Sequence, residues 1–182
     1  MLLIRRNKKQ ETICSYCQMG KRCKLPFNIS SNTTQFPLEK LHCDLWGPAP
    51  ITSCQNFRYY AIIIDDFFRY SWIISLRNKS DFFDNFLKLQ RLIENRFDRK
   101  IKIFQSDGGG EFTSTRFEEH LQQYGISHQF SCPNTPQQNE VAERKHRYIV
   151  ETGLTLLFQS HLPLKYWVDA FLTAVFLINH LP

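Results

Sequence analysis

Residues 59–76, YYAIIIDDFFRYSWIISL, contain two runs of β-branched and aromatic residues separated by a short polar segment. The runs are Tyr59–Ile64 and Trp72–Leu76, and Asp65, Asp66 and Arg69 lie between them. Residues of the first kind fit a pleated, half-buried surface, and polar residues favour the turn between two strands. The segment therefore predicts a β-hairpin, and His42–Leu45 predicts a further strand just before it.

The chain after the hairpin alternates between helical and strand patterns. Apolar residues recur at helical spacing, and short apolar runs separate the helical segments. The predicted elements, in chain order, are a helix from Ser80 to Phe97, a buried strand at Ile101–Phe104 leading to Asp107, a helix that begins with a Thr115–Glu118 capping box and stops at Gly125, and a strand at Ile126–Phe130.

Two further helices are predicted in the last fifty residues. Thr135 at the N-cap, Pro136 at the first helical position and Gln138 at the third predict a helix that runs to about Phe158. A last helix, near Leu164–Leu181, is apolar almost all round. This fits core packing, and it also leaves surface for a second copy of the chain or a missing domain. The order of elements predicts an α/β fold with a mixed sheet and helices on both faces.

Three acidic residues, Asp44, Asp107 and Glu143, are the candidate functional residues, and thirty-five residues lie between the last two. Hard divalent cations prefer carboxylate oxygens, and two-metal phosphoryl-transfer sites need several of them converging. Taken singly, each acid has a simpler explanation. An Asp at a strand end commonly caps a turn, and Glu143 has Arg147 four residues later as a partner on a solvated helix face.

Each acid lies in a distinct local sequence. These are HCDLWGP at residues 42–48, SDGGGEF at 106–112 and PQQNEVAER at 136–144. Together and in this order they resemble the D,D-35-E core of retroviral-type integrases. The sequence DDFFRYSW at residues 65–72, with the Gln-Gln-Asn and Ala-Glu-Arg segments, is similar to the integrase of copia-type LTR retrotransposon polyproteins. The resemblance covers roughly residues 14–182.

The resemblance implies an RNase H-like fold with a mixed five-stranded sheet, in which the first and fourth strands are neighbours. Asp44 would then lie beside Asp107, and a helix would lower Glu143 over both. It also implies that these three residues are catalytic and bind two Mg²⁺ or Mn²⁺ ions. The implied function is that of a polynucleotidyl transferase of DNA integration, which trims a retrotransposon DNA 3′ end and joins it to target DNA.

Two other functions stay open. One is an RNase H-like nuclease that cuts without strand transfer, which the Gln-Gln-Asn segment and the thirty-five-residue spacing disfavour. The other is a decayed or domesticated relic that only binds nucleic acid or a partner. Three departures from the family pattern keep the relic open. The histidines of the family's zinc module are missing, Gly108 stands where the family usually has Asn, and Glu140 stands where it usually has Gly.

A polar and basic segment around Glu143 contains the candidate DNA-binding residues. Amide and basic groups contact phosphates and base edges, although an ordinary exposed helix start has the same composition. The candidates are Gln137, Gln138, Asn139, Arg144, Lys145 and Arg147. Elsewhere, Gly108–Gly110 would allow close approach of the backbone to metal or phosphate. His42 is expected to be a packed or hydrogen-bonded histidine rather than a ligand.

Residues 1–37 are predicted to be a basic arm or linker, and residues 38–182 the catalytic core. The formal net charge of +6 resides in residues 1–40, because Lys, Arg, Asp and Glu balance in the remainder. A basic arm attracts phosphate through counterion release, although a solvated leader has the same charge. Cys14 and Cys17 resemble half of the family's His-His-Cys-Cys zinc module. Because no histidine precedes them, Zn²⁺ is not expected here, and Cys23 is the remaining candidate ligand.

Composition indicates a globular intracellular protein. The chain is 42% hydrophobic and 22% charged, no run of eighteen apolar residues occurs, and the start lacks a signal-peptide pattern. We therefore expect the nucleus or cytoplasm, no membrane, and six cysteines that remain thiols. The resemblance implies DNA and further copies of the chain as partners, with flanking polyprotein domains missing.

Overall fold

The computed structural model describes residues 34–130 and 140–181. Five strands form one sheet: β1 (Lys40–Trp46), β2 (Tyr59–Asp65), β3 (Ser71–Leu76), β4 (Ile103–Ser106) and β5 (Ser127–Phe130). Their spatial order is β3-β2-β1-β4-β5. The first three pair antiparallel, whereas β4 is parallel to β1 and β5 is parallel to β4. The predicted mixed five-stranded sheet, with the first and fourth strands adjacent, is confirmed.

Within the described residues four α-helices accompany the sheet, and each predicted helix has a counterpart. They are α1 (Phe82–Phe97), α2 (Thr115–Gln123), α3 (Glu140–Gln159 within the described residues) and α4 (Trp167–His180). Short 3-10 turns at Lys79–Asp81 and Leu164–Tyr166 lead into α1 and α4. The predicted Thr135 cap and Pro136 start of α3 lie outside the described residues.

Three local predictions need correction. The capping box at Thr115 is wrong, because Ser114 takes the N-cap position and its side chain makes no capping hydrogen bond. The helix expected at Ser80 starts as a 3-10 turn, in which Asp81 accepts a hydrogen bond from the Asn78 backbone N–H. The strand expected at residues 101–104 begins two residues later, because the Ile101 N–H donates to the Glu94 carboxylate rather than to the sheet.

Strand β2 shows why both faces of the sheet carry helices. Ala61 and Ile63 belong to a core cluster that includes apolar residues of α1 and α2. Tyr60, Ile62 and Ile64 belong to a second cluster with residues of α3 and α4. Successive side chains of a strand point to opposite faces, so a run of apolar residues fits a strand that is buried on both sides. The prediction of helices on both faces is confirmed.

Helix α4 buries one side and exposes the other. Phe171, Val175 and Ile178 pack in the second core cluster, whereas Phe176 is 61% exposed. The nearly continuous apolar pattern of this helix therefore exceeds what the described core covers. None of the helices in the described part of the chain is long and apolar enough to cross a membrane.

Phenylalanine side chains fill the first core cluster. Phe117 is fully buried, and its ring centroid lies 5.7 Å from that of Phe82, 5.4 Å from that of Phe86 and 5.4 Å from that of Phe104. The rings are tilted or edge-on, the arrangement that aromatic quadrupoles prefer. This cluster joins α1 and α2 to β4, the strand that ends just before Asp107.

Truncating the centre of this cluster should destabilise the protein strongly. We expect Phe117→Ala to lower the free energy of unfolding by about 3–5 kcal/mol, because it leaves a cavity among rings that have no room to collapse. Leu92→Ala, at a side chain that is 62% exposed, should change it by less than about 0.5 kcal/mol. Urea denaturation followed by circular dichroism measures both free energies of unfolding. Equal decreases in the two variants would contradict the placement of Phe117 at the centre of the core cluster.

Candidate active site

The parallel pairing of β1 and β4 brings Asp44 and Asp107 side by side. In the register of this pair, Lys40 is opposite Ile103 and His42 is opposite Gln105. Two residues further along, Asp44 is therefore level with Asp107. Neighbouring strands are about 4.8 Å apart. Both carboxylates are half-buried, at the carboxyl ends of their strands.

Helix α3 is fixed over the same part of the sheet by an aromatic contact. The rings of Tyr60 and His146 stack with centroids 5.6 Å apart, and the Tyr60 hydroxyl is 2.5 Å from His146 Nε2. Trp46 lies against both rings. Glu143 precedes His146 by three residues, so it lies on the adjacent part of the same helix face and is exposed to solvent.

Asp107 and Glu143 both lie close enough to Asp44 to act on it electrostatically. The pKa of Asp44 is raised to about 6, first by burial and then by the negative charges of Asp107, Glu143 and, more weakly, Glu111. Burial, and then the negative charges of Asp44, Asp107 and Glu111, raise the pKa of Cys43 well above its ordinary value, so this thiol is not a thiolate nucleophile. The fold therefore brings together the three acids that the sequence singled out.

Glu111 is a fourth acid that the sequence reasoning quoted but gave no role. Its side chain is only 7% exposed and pairs with Lys79 at 3.2 Å. Gly109 explains how it fits, since a Cβ there would come within 3.0 Å of the Glu111 carboxylate and 3.1 Å of Asp107 Oδ1. The signal that points to Glu111 is its place four residues after Asp107, in the same glycine-rich segment.

The three glycines after Asp107 differ in their surroundings. The Gly109 N–H donates to Asp107 Oδ1 at 3.2 Å, which holds that carboxylate in place. A Cβ at Gly108 or Gly110 would meet no atom within 4 Å. Of these three positions, only Gly109 is one where close packing requires a residue without a side chain.

The three carboxylates offer the oxygen ligands that a hard divalent cation prefers. Asp44 on β1, Asp107 just after β4 and Glu143 on α3 carry carboxylate oxygens, and a cation would relieve the repulsion that Asp107 and Glu143 exert on Asp44. Among the described residues, no group of three His, Cys, Asp or Glu side chains is gathered tightly enough to hold a metal as it stands. The three side chains thus have the oxygen ligands that such an ion prefers and lie near one another, but they are not arranged as a complete coordination site.

The predicted DNA-binding residues divide into two groups. Gln137, Gln138 and Asn139 lie outside the described residues. Arg144 and Arg147 are exposed on α3, and within the described structure no ion pair joins Glu143 to Arg147. Lys145 is half-buried, and its pKa is lowered by burial and by the positive charge of Arg69.

Two expectations about possible metal ligands have different outcomes. His42 is buried and hydrogen-bonded, with Nε2 2.9 Å from Asp66 Oδ1, as expected for a structural histidine. Cys14 and Cys17 lie outside the described residues, as does Cys23. Within the described part of the chain, Cys43 and Cys54 are both free thiols.

The raised pKa of Asp44 predicts how metal-free stability depends on pH. Folding favours the protonated carboxyl, so its contribution is complete below about pH 4 and is lost as pH rises through about 6. A shift from 3.8 to about 6 corresponds to a few kcal/mol at most. Nuclear magnetic resonance titration of the Asp44 carboxyl carbon in the presence of a chelator should give a midpoint near 6.

Asp107→Asn is the matched variant for this titration, because it removes one negative charge with little change in shape. We expect it to move the Asp44 midpoint towards 3.8. A midpoint that is the same in both proteins would show that the two carboxylates do not interact.

Two plant polyproteins are similar to this chain over 169 residues. The retrovirus-related Pol polyprotein from transposon RE1 of Arabidopsis thaliana is 47% identical, and that from transposon TNT 1-94 of Nicotiana tabacum is 40% identical. Both come from copia-type transposons. Each alignment covers 93% of this chain but only 11% and 13% of the relative, respectively. The chain thus spans little more than a tenth of the length of these relatives.

Solved structures show the same fold at low sequence identity. An intasome of simian T-cell lymphotropic virus, in complex with a PP2A regulatory subunit, aligns with a TM-score of 0.69 at 16% identity, covering 93% of this chain and 58% of that one. The trimeric HTLV-2 integrase catalytic core domain in complex with magnesium aligns with a TM-score of 0.60 at 19% identity, covering 80% and 88%. The RNase H-like fold is therefore confirmed.

The family assignment rests on the sequence match. The model of the family described as "Integrase core domain" matches residues 35–136, which is more than half of the chain and includes β1, the hairpin and Asp107. The strands that bear Asp44 and lead to Asp107 thus lie inside the matched region. This chain belongs to the integrase core domain family, and its relatives are the Pol polyproteins of copia-type retrotransposons.

Proposed function

We propose that this chain is a metal-dependent polynucleotidyl transferase that trims retrotransposon DNA ends and joins them to target DNA. The observation that carries the proposal is the electrostatic coupling of Asp44 to Asp107 and Glu143. Neighbouring carboxylates destabilise one another's charged forms, and bound cations would remove this repulsion. Such a cluster is therefore typical of a functional site. Membership of the integrase core domain family gives this cluster its reaction class.

Asp44, Asp107 and Glu143 are the proposed catalytic residues and the proposed ligands of two Mg²⁺ or Mn²⁺ ions. Such ions, when bound, activate an attacking oxygen and stabilise the leaving oxygen of an in-line displacement. The protein positions these ligands in this proposal. Strands β1 and β4 hold the two Asp carboxylates side by side, and α3 places Glu143 near Asp44. The Gly109 N–H keeps one oxygen of Asp107 oriented.

The same residues serve two successive displacements in this proposal. In the first, water oxygen bonds to the phosphorus of a phosphodiester near the DNA end, the bond from that phosphorus to the 3′ oxygen breaks, and a 3′-OH and a 5′-phosphorylated end nucleotide result. In the second, this 3′-OH bonds to a phosphorus of the target strand, and the target's own 3′ oxygen leaves as a hydroxyl. The chain supplies no covalent nucleophile, in agreement with the buried, protonated Cys43. Both steps need the carboxylates ionised, and a cation beside Asp44 would lower its pKa from about 6.

A nuclease without strand transfer uses the same fold and the same acids, so it is the second candidate function. An inactive binding relic is the third. The departures at Gly108 and Glu140 favour the relic, whereas the preserved acids Asp44, Asp107 and Glu143 favour the enzyme. The assay below separates these three functions.

We propose DNA and further copies of this chain as partners, in the nucleus or cytoplasm. Two observations support multimers. The similar HTLV-2 cores are described as trimeric and dimeric, and Phe176 of α4 is 61% exposed without a covering element in the described structure. Flanking polyprotein domains complete the protein in this proposal, because the relatives are much longer than this chain.

Joining of a labelled oligonucleotide to target DNA is the direct test. With Mg²⁺ or Mn²⁺, the chain should produce joined product, and Asp107→Asn should reduce its rate by at least about 100-fold, because one carboxylate ligand is lost. Asp84→Asn removes an exposed carboxylate of α1 that pairs with Arg116 of α2, so it is the matched control and should retain full rate.

The products distinguish the candidate functions. Cleavage without joined product assigns the nuclease. Binding without either product, unchanged by chelation, assigns the relic. Equal rates in Asp107→Asn and the Asp84→Asn control would remove Asp107 from the site.

Metal binding itself should be visible as a stability change. At pH 7, Mg²⁺ at ten times its dissociation constant should stabilise the fold by about 1.4 kcal/mol. Asp44→Asn should be more stable than the wild type without metal, because it removes a half-buried charge, and should gain little from Mg²⁺. Thermal unfolding with and without a chelator measures both effects, and equal Mg²⁺ stabilisation of the two proteins would contradict the ligand assignment.

A further inference from the structure

Glu111 is buried beside Asp107, although two neighbouring carboxylates repel each other. Its side chain is only 7% exposed. A Cβ at Gly109 would come within 3.0 Å of the Glu111 carboxylate and 3.1 Å of Asp107 Oδ1, so both acids lie against the same glycine. An apolar side chain would fill the same space without adding a second negative charge. The acid at this position therefore needs an explanation other than packing.

Lys79 is the partner of this buried carboxylate. Its Nζ donates to Glu111 Oε1 at 3.2 Å. Lys79 lies in the 3-10 turn that leads into α1, and the Asn78 N–H donates to Asp81 Oδ2 at 2.9 Å, which holds that turn in shape. The ion pair therefore joins the segment after Asp107 to the start of α1.

An aromatic contact joins the same two segments. Phe112, the residue after Glu111, is fully buried, and its ring centroid lies 5.0 Å from that of Phe82, the first residue of α1. One segment thus contributes Lys79 and Phe82, and the other contributes Glu111 and Phe112. Because two contacts of different kinds lie side by side, the segment after Asp107 is fixed in orientation as well as in position.

The fixed segment determines the orientation of Asp107. The Gly109 carbonyl accepts hydrogen bonds from the backbone N–H groups of Phe112 and Thr113, at 3.0 and 3.2 Å. The Gly109 N–H in turn donates to Asp107 Oδ1 at 3.2 Å. The chain from Asp107 to Thr113 is therefore one connected turn, in which a displacement of Glu111 would also shift Gly109 and its hydrogen bond to Asp107.

We propose that Glu111, held by Lys79, is a positioning residue that keeps the Asp107 carboxylate in the orientation in which it binds a divalent cation. This role rests on the proposed function, in which Asp107 is a metal ligand. Removing a group that orients a metal ligand commonly weakens metal affinity by roughly 10- to 100-fold. A partly exposed ion pair adds little stability by itself, so stabilisation alone does not account for this pair.

Binding of Mn²⁺ to the full chain tests the proposal, with free Mn²⁺ measured by electron paramagnetic resonance. Glu111→Ala and Lys79→Met should each weaken Mn²⁺ binding by about 10-fold, because either change releases the turn that orients Asp107. The double variant should bind no more weakly than the single variants, since all three lose the same contact. Glu111→Gln should keep most of the affinity, because its side-chain carbonyl still accepts a hydrogen bond from Lys79.

Lys79→Met separates positioning from a simple effect of charge. If Glu111 acted only through its negative charge, removing the neighbouring cation would strengthen Mn²⁺ binding. Lys100→Met is the matched control, because Lys100 pairs at 2.7 Å with Glu94, whose side chain is 6% exposed, at the other end of α1. It should leave Mn²⁺ affinity at the wild-type value. Thermal unfolding without metal confirms that each variant is folded.

The Gly109 amide gives a readout that needs no metal. With a chelator present, nuclear magnetic resonance detects the hydrogen bond that this N–H donates to Asp107. Glu111→Ala and Lys79→Met should move the Gly109 amide proton towards the position of a solvent-exposed amide, whereas Lys100→Met should leave it unmoved. A role in overall stability alone would leave this resonance unchanged in the folded protein.

Three results would overturn the positioning role. They are wild-type Mn²⁺ affinity in Glu111→Ala, tighter binding in Lys79→Met, and a loss in Glu111→Gln as large as that in Asp107→Asn, which would make Glu111 a ligand itself. A wild-type chain that binds no Mn²⁺ would instead refute the proposed function. The Gly109 resonance then decides the positioning role alone, since a shift in both variants supports it and an unmoved resonance contradicts it.

Discussion

Strand β1 is paired on both edges, antiparallel to β2 and parallel to β4, and the candidate site depends on these two pairings. Side chains alternate along the strand, so Leu41, Cys43 and Leu45 enter the phenylalanine cluster while Asp44 faces helix α3. A shift of one residue in the register would turn Asp44 into that apolar cluster. The same backbone hydrogen bonds that close the sheet therefore also determine which acids meet.

The charged carboxylates of the site lower the free energy of unfolding, and burial of the surrounding apolar core raises it. A half-buried Asp44 beside Asp107, Glu143 and Glu111 has a raised pKa, which means that its charged form is destabilising in the metal-free fold. The fully buried rings around Phe117 supply apolar burial directly behind β4. Active sites commonly cost stability in this way, because the geometry that the reaction needs is not the one that folding prefers.

Charged side chains of both signs lie near helix α3. Asp107, Glu143 and Glu111 act electrostatically on Asp44, while Arg69, Arg144 and Lys145 line an open groove next to α3. His42 and Asp66 connect β1 to Arg69, so the turn that carries this arginine is tied to the strand that carries Asp44.

Local patterns in the amino-acid sequence predicted the hairpin, the order of strands and helices, and the three acids, because strand and helix periodicity and short motifs are properties of neighbouring residues. They failed at the Thr115 cap, where Ser114 takes the N-cap position, and at the start of β4, where the Glu94 carboxylate accepts a hydrogen bond from the Ile101 N–H. Tertiary structure alone decided that Glu111 joins the acids and that Arg69 faces Lys145. These contacts join residues from separate elements, and their proximity follows from packing across the sheet rather than from spacing along the chain.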